Sequence, residues 1–235
     1  MGSAAEMLIN TTTYGAHALA FFMAGNLAWA VVYFTVFLNI RRHGVVEIPA
    51  AAVASNLAWV TVWGYFYRTD LGSLFVWANR GAIVLEMAVF VYVLINGAKH
   101  VRLPEVRRWF RPGLVASYVC WFLMLYLFVR GGNDTPNGIV SGMIIAVYMS
   151  ALYLFIELSA IDANQYSLTV AWGKLIGNGC GSLFCAIAYP DKRFLLCLCI
   201  ITFLLDVLYL LLFRHRNSVY RQDRATAGLT PEFRT

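Results

Sequence analysis

Charge is what this sequence has least of. Asp, Glu, Lys and Arg make up 13% of its 235 residues, while 60% are hydrophobic; soluble domains carry roughly 25% charged residues. A water-soluble core of this size is excluded. Chemistry-bearing motifs are equally scarce. There is no Asp-Asp-x-x-Asp run of the kind that holds magnesium on a prenyl diphosphate, and neither a P-loop nor a Gly-x-Gly-x-x-Gly fingerprint. His17 stands alone in an apolar run, and His43, His100 and His215 fall at run ends. The cysteines (Cys120, Cys180, Cys185, Cys197, Cys199) lie inside apolar runs without zinc spacing, so they read as small packing residues. No metal and no cofactor is expected. No cleavable signal sequence is expected either, and Glu6 occupies the position where a myristoylation motif requires Ser or Thr.

What is present is a series of apolar runs, at 14–39, 49–67, 74–97, 113–129, 138–158, 167–188 and 194–213. A helix needs about 20 residues to cross a bilayer, and only a helix satisfies its own backbone there within one segment. The sequence therefore predicts an all-α, polytopic bundle of seven transmembrane helices. Residues 1–235 form one membrane domain, with 214–235 as a basic tail. Pro49 and Pro112 fit at first-turn positions, where a missing N–H costs nothing. Residues 130–137 make a turn-rich loop.

The net charge of +6 does not signal nucleic acid, because Lys and Arg cluster between the apolar runs. Twelve of the eighteen fall on one side of the predicted membrane and four on the other, with Arg80 and Lys174 inside spans. Arg102 and Arg234 count with the twelve. The positive-inside rule then places the N-terminus outside or lumenal and the C-terminus in the cytoplasm. The membrane is that of the endoplasmic reticulum in a eukaryote, or the plasma membrane in a bacterium. Asn10-Thr11-Thr12 forms a glycosylation sequon on the permissive side.

A charge near the bilayer centre costs at least ~2.5–3.5 kcal/mol on insertion scales, so ionisable residues within spans need a reason. They are Arg80, Glu86, Glu157, Lys174 and Asp206. Glu86 falls near the middle of its span, with Lys174 and Asp206 at similar depths on consecutive spans. Lys174 and Asp206 suit a structural ion pair and also a polar pocket whose acidic members are Asp206 and Glu86. Two carboxyls in different surroundings can divide the roles of acid and base. Glu157 reads as an interfacial anchor. Rings are abundant: Trp59 and Trp63 share one helical face, and Tyr209 follows Asp206 by three residues. Such π-faces can stabilise a cation without supplying a nucleophile to trap it.

Several stretches resemble one family in order and spacing. Trp29-x-x-x-Tyr33, Arg41-Arg42-x-Gly44, Pro49 and Asn56-x-x-Trp59 are similar to the first two spans of the small integral-membrane terpene cyclases of fungal meroterpenoid pathways (pyripyropene and paspaline types) and their bacterial relatives. Met149-Ser150, Ala171-Trp-Gly-Lys174-Leu-Ile-Gly177 and Leu205-Asp206-Val-Leu-Tyr209 resemble their later spans. The resemblance implies a seven-helix, metal-independent enzyme that protonates an epoxide or alkene of a lipophilic prenylated substrate and steers a carbocation to rings. It assigns Asp206 as an essential acid. The family's other acid, a Glu after the span-2 Trp, is replaced by Val60, and Glu86 stands where the family tends to carry an Asp. The expected site is thus Asp206 and Glu86 as proton donor and acceptor, Asn56 and Lys174 positioning them, and Trp59, Trp63 and Tyr209 lining the cation pocket. Two alternatives remain open: a seven-helix transporter or receptor with a Glu/Lys/Asp relay, and a catalytically altered family member.

Overall fold

The computed structural model describes residues 8–44, 46–101, 103–159 and 167–226. Glu6, Arg102, Arg234 and the end of the expected tail, 227–235, lie outside the described residues, as do the side chains of His43, His100 and residues 219–226. Helices α1 (Ala16–His43), α2 (Ala50–Thr61), α3 (Ser73–Asn96), α4 (Pro104–Arg107), α5 (Phe110–Arg130), α6 (Ile139–Leu158), α7 (Leu168–Ala188) and α8 (Arg193–Thr226) follow in order. A π turn, Val62–Phe66, continues α2, and a 3-10 turn, Gly97–His100, follows α3. No strand occurs among the described residues.

Helix ends are set by local chemistry. Gly44 takes a left-handed conformation (φ 68°) and returns its N–H to the Ile40 carbonyl, closing α1. The Ser167 hydroxyl accepts from the Val170 N–H to open α7. In the loop before α6, Asp134 Oδ1 accepts from the N–H groups of Val140 and Ser141, and Thr135 Oγ1 from that of Ile139. These bonds satisfy donors that a helix N-terminus leaves without partners.

Five stretches are long and apolar enough to cross a membrane: Ala16–Arg42, Ser73–Lys99, Phe110–Arg130, Ile139–Leu158 and Arg193–Ser218. Their outward faces carry Leu27, Phe34, Trp77, Val84, Leu127, Ile200 and Leu211 in the open, a surface suited to lipid and not to water. The chain is thus all-helical and of a multi-pass membrane type. The other two expected spans fall short of the same measure. Helix α2 has only twelve residues before its five-residue π turn. Helix α7 has the length, but Lys174, Asn178 and four glycines dilute its hydropathy. Helix α8 continues past residue 213, through the first part of the expected tail, to Thr226.

Helix α2 is the innermost element, packed against α3, α5 and α6. Its Ala52, Val53, Ala54, Ser55 and Ala58, with Val62 of the π turn, are fully buried, so small side chains let three neighbours approach. Helix α7 lies between α1 and α8, and α6 closes against α8. The α1–α7 contact is tight because glycines line it: Gly25 faces Gly177, and Trp29 lies over Gly177.

Asn10 is fully buried, its amide donating to the Asp70 carbonyl at 2.8 Å and to Thr13 at 3.0 Å. That burial overturns the sequon reading for the folded chain, because an acceptor asparagine must reach an exposed loop. Instead Asn10 ties the N-terminal segment to the α2–α3 loop. Tyr14 adds to the junction, its hydroxyl meeting Asp70 Oδ2 and the Tyr189 hydroxyl, each at 2.8 Å, and accepting from Asn137 at 3.2 Å.

Candidate site in the bundle interior

Lys174 and Asp206 are each 1% exposed and form an ion pair through Asp206 Oδ1. The second carboxylate oxygen, Oδ2, accepts from the Asn178 amide at 2.7 Å, and the Lys174 ammonium donates to Ser150 Oγ at 2.9 Å. The ring centroids of Tyr153 and Tyr209 lie 5.1 and 5.7 Å from the ammonium, which adds cation–π attraction to the pair. Spacing explains how this assembles. Ser150 and Tyr153 on α6, Lys174 and Asn178 on α7, and Asp206 and Tyr209 on α8 are each three or four residues apart, so each helix presents two groups on one face. Thr202, one turn before Asp206, is also buried, and its hydroxyl has no hydrogen-bond partner among the described residues. A buried charge is tolerated only when paired and hydrogen-bonded. Both members of this pair are.

Glu86 is buried on α3, and its Oε2 has no partner among the described residues. Tyr33 of α1 interacts with the Glu86 carboxyl, and its hydroxyl accepts from the Asn56 amide of α2 at 2.7 Å. The register of α2 against α3 fixes what lies opposite. Arg80 Nε donates to the Gly64 carbonyl at 3.1 Å, and Ile83 packs directly on Gly64. Going back one turn on α2 to Val60 means going forward one turn on the antiparallel α3, to residues 84–87. Glu86 therefore stands level with Val60, which is buried in the apolar core. Along the helices, Glu86 lies thirteen residues in from Ser73 and Asp206 thirteen in from Arg193, about 20 Å in each case. The two carboxyls thus lie at similar depths along their helices.

Trp59 and Trp63 belong elsewhere. The Trp59 indole donates to Ser141 Oγ at 2.9 Å, and Trp63 packs over Gly138, both at the start of α6. Their rings are 6.5 Å apart and continue to Tyr67 at 6.0 Å. The expected site residues thus fall into three groups: Lys174, Asp206 and Tyr209 together; Glu86 with Asn56; and Trp59 with Trp63 toward the α2–α3 loop. Ser150, Tyr153, Asn178 and Tyr33 complete the first two groups. Asn178 was discoverable as the polar residue four positions from Lys174; Tyr33 and Ser150 stand in the stretches that resemble the family but received no role there, and Tyr153 carries no pattern that separates it from packing residues.

The remaining membrane-embedded charges are held locally. The Arg80 guanidinium lies over Trp77 at 4.9 Å and Tyr65 at 5.9 Å, and Glu157 pairs with Arg216 at 3.6 Å across α6 and α8. A groove of about 580 Å³ lies on the α3–α5 face and a cleft of about 280 Å³ beside Asp70 and Asp134; neither is lined by Asp206 or Glu86. Among the described residues no three His, Cys, Asp or Glu side chains are grouped to hold a metal ion. Comparison with protein-family models, curated proteins and solved structures finds no match to this chain.

Proposed function

We propose that this protein is a seven-span membrane terpene cyclase, N-terminus outside or lumenal and C-terminus cytoplasmic, that folds a lipophilic prenylated substrate into rings by acid-initiated carbocation chemistry. The observation that carries the reading is the buried Asp206 carboxylate, fixed by Asn178 and by Lys174, whose ammonium lies against the rings of Tyr153 and Tyr209. Protonation of a terminal epoxide oxygen or alkene carbon generates a tertiary cation. The tyrosine faces stabilise positive charge without trapping it, and loss of a proton from the final cation ends the cascade. The net change is an isomerisation, which calls for no cofactor. Asp206 and Glu86, at similar depths along their helices, divide the roles of proton donor and acceptor, and Glu86 takes the depth that Val60 leaves without an acid. Lys174 and Asn56 position the two carboxyls. Trp59 and Trp63 line the far end of the substrate path. Helices α2 and α7 cross the membrane within the bundle, where neighbouring helices cover their polar groups.

The test is conversion of an epoxy-prenyl substrate by membranes containing wild type or Asp206→Asn, read by mass spectrometry as a product of unchanged mass and altered retention. Loss of product in the variant supports the assignment; equal turnover overturns it. A second reading, a transporter or receptor with a Glu/Lys/Asp proton relay, draws on Glu86, Lys174 and Asp206 lying buried within the bundle. Proton-coupled uptake in proteoliposomes without product formation favours that reading. A catalytically altered family member is the third, and it draws on Val60 alone.

A further inference from the structure

The groove on the α3–α5 face is walled by Leu94 of α3 and by Pro112, Val115, Ala116, Val119 and Cys120 of α5, with Arg111 as its one charged residue. The α5 positions recur at helical spacing, so they form a single apolar stripe. Helix α5 packs chiefly on α2 and only lightly on α3, which leaves that stripe without a helical partner. Arg111 is fixed at the end of the groove, donating through Nε and Nη2 to the carbonyls of Leu94 and Ile95, both at 3.1 Å. Next to it runs α4. Leu103, Val106 and Trp109, three residues apart, are 64%, 50% and 63% exposed. Arg107 and Arg108 are also exposed; Arg107 donates to the Val101 carbonyl, and Arg108 lies over the Trp109 ring. Glu105 is the acidic residue of α4. In a multi-pass membrane protein, a short segment with apolar side chains on one side and arginines on the other rests in the interface, with its cations at headgroup level.

We infer that this corner binds an anionic phospholipid, one acyl chain in the groove and the headgroup phosphate among Arg107, Arg108 and Arg111. The apolar side chains of the wall suit a hydrocarbon chain, and guanidinium groups suit phosphate. Three arginines within five residues give the corner a charge that a zwitterionic lipid does not repay. The inference rests on the membrane reading and, for the leaflet involved, on the orientation proposed above, which puts this corner at the anionic cytoplasmic surface.

The test uses the full chain purified in detergent, where orientation plays no part. Phosphatidylglycerol and phosphatidylcholine with the same acyl chains are added, and retained lipid is counted by native mass spectrometry alongside thermal stability. Phosphatidylglycerol is expected to be retained preferentially and to raise the unfolding temperature. Arg107→Gln and Arg108→Gln each weaken its binding about fivefold, and both leave the Arg111 bonds to α3 intact. Ala116→Trp, which fills the groove without changing charge, reduces the lipid retained. Equal retention of the two lipids, or an unchanged preference in the Arg107→Gln/Arg108→Gln double variant, overturns the site. So does a concentration-dependent dimer that competes with lipid, since the groove is then a contact between two copies of this chain. Labelling of Glu105→Cys above the wild-type background from the outer side of intact cells, with lipid preference retained, removes the orientation and leaves the site standing.

Discussion

Asn178 and Asp206 meet across the α7–α8 contact, the amide donating to Oδ2 at 2.7 Å while Lys174 engages Oδ1. The carboxylate is thereby held in one orientation by two residues of the same helix. Removing one partner of a buried pair leaves an uncompensated charge, which costs about 3–5 kcal/mol, whereas replacing both with apolar groups can be neutral. Lys174→Met should therefore lower the unfolding temperature in detergent sharply, and Lys174→Met/Asp206→Leu should recover most of the loss. Asn178→Ala should cost less, about 1–3 kcal/mol, for one acceptor left without its donor. Additive losses in the double variant would show that the pair is not coupled.

Glu86 and Val60 face the same depth from neighbouring helices, so in the proposed cyclase the position of the second acid is open to exchange. Glu86→Gln should reduce product formation about 10²-fold or more, the usual loss for a positioned proton donor or acceptor. Adding Val60→Glu to that variant should restore part of the activity, because the carboxyl returns to the same layer from α2. Product analysis by mass spectrometry, with unfolding temperatures to verify folding, decides the point. Absence of rescue in a folded double variant would separate the two positions.

The all-helical class was legible because apolar runs bounded by Pro49, Pro112 and the Gly131–Gly138 turn residues leave little alternative in lipid. The Lys174–Asp206 pair was legible for the same reason: two opposite charges at one depth on consecutive helices have few other ways to be stable. Tyr33 and Tyr153 were not, because a tyrosine in an apolar run gives the same pattern whether its hydroxyl meets a carboxyl or its ring meets an ammonium. Trp59 and Trp63 were legible in part. Their i, i+4 spacing placed them on one face correctly, but which neighbour that face meets depends on α6, whose loop capping by Asp134 sets the contact.

Gly138 combines two demands at the start of α6. Its φ of +78° favours glycine, and a Cβ there would lie 2.3 Å from the Trp63 ring. Gly138→Ala should destabilise by about 1–3 kcal/mol through overpacking, with backbone strain adding to it. Gly181→Ala, where a Cβ meets nothing within 4 Å, is the matched control and should stabilise α7 by about 0.5–1 kcal/mol. Thermal unfolding of both in one detergent tests the contrast; equal behaviour would remove the Trp63–Gly138 contact from the account.

Asp70 gives the loop junction a pH dependence. Burial raises its carboxyl above the ordinary aspartate value of 3.8, and the hydrogen bond from Tyr14 opposes that rise without cancelling it. Between the ordinary value and the raised one, the folded chain binds more protons at this site than the unfolded chain. Stability from Asp70 therefore increases as pH falls through that window and is lost as pH rises above the folded value. Asp70→Asn keeps an oxygen to accept from Tyr14 and removes the titration. Unfolding temperatures of wild type and Asp70→Asn, followed from about pH 7 to about pH 4, should converge or cross on the acid side as wild type gains relative to the variant. Parallel curves would place the Asp70 carboxyl at its ordinary value and reduce its role to the Tyr14 and Asn10 bonds that join the N-terminal segment to the α2–α3 loop.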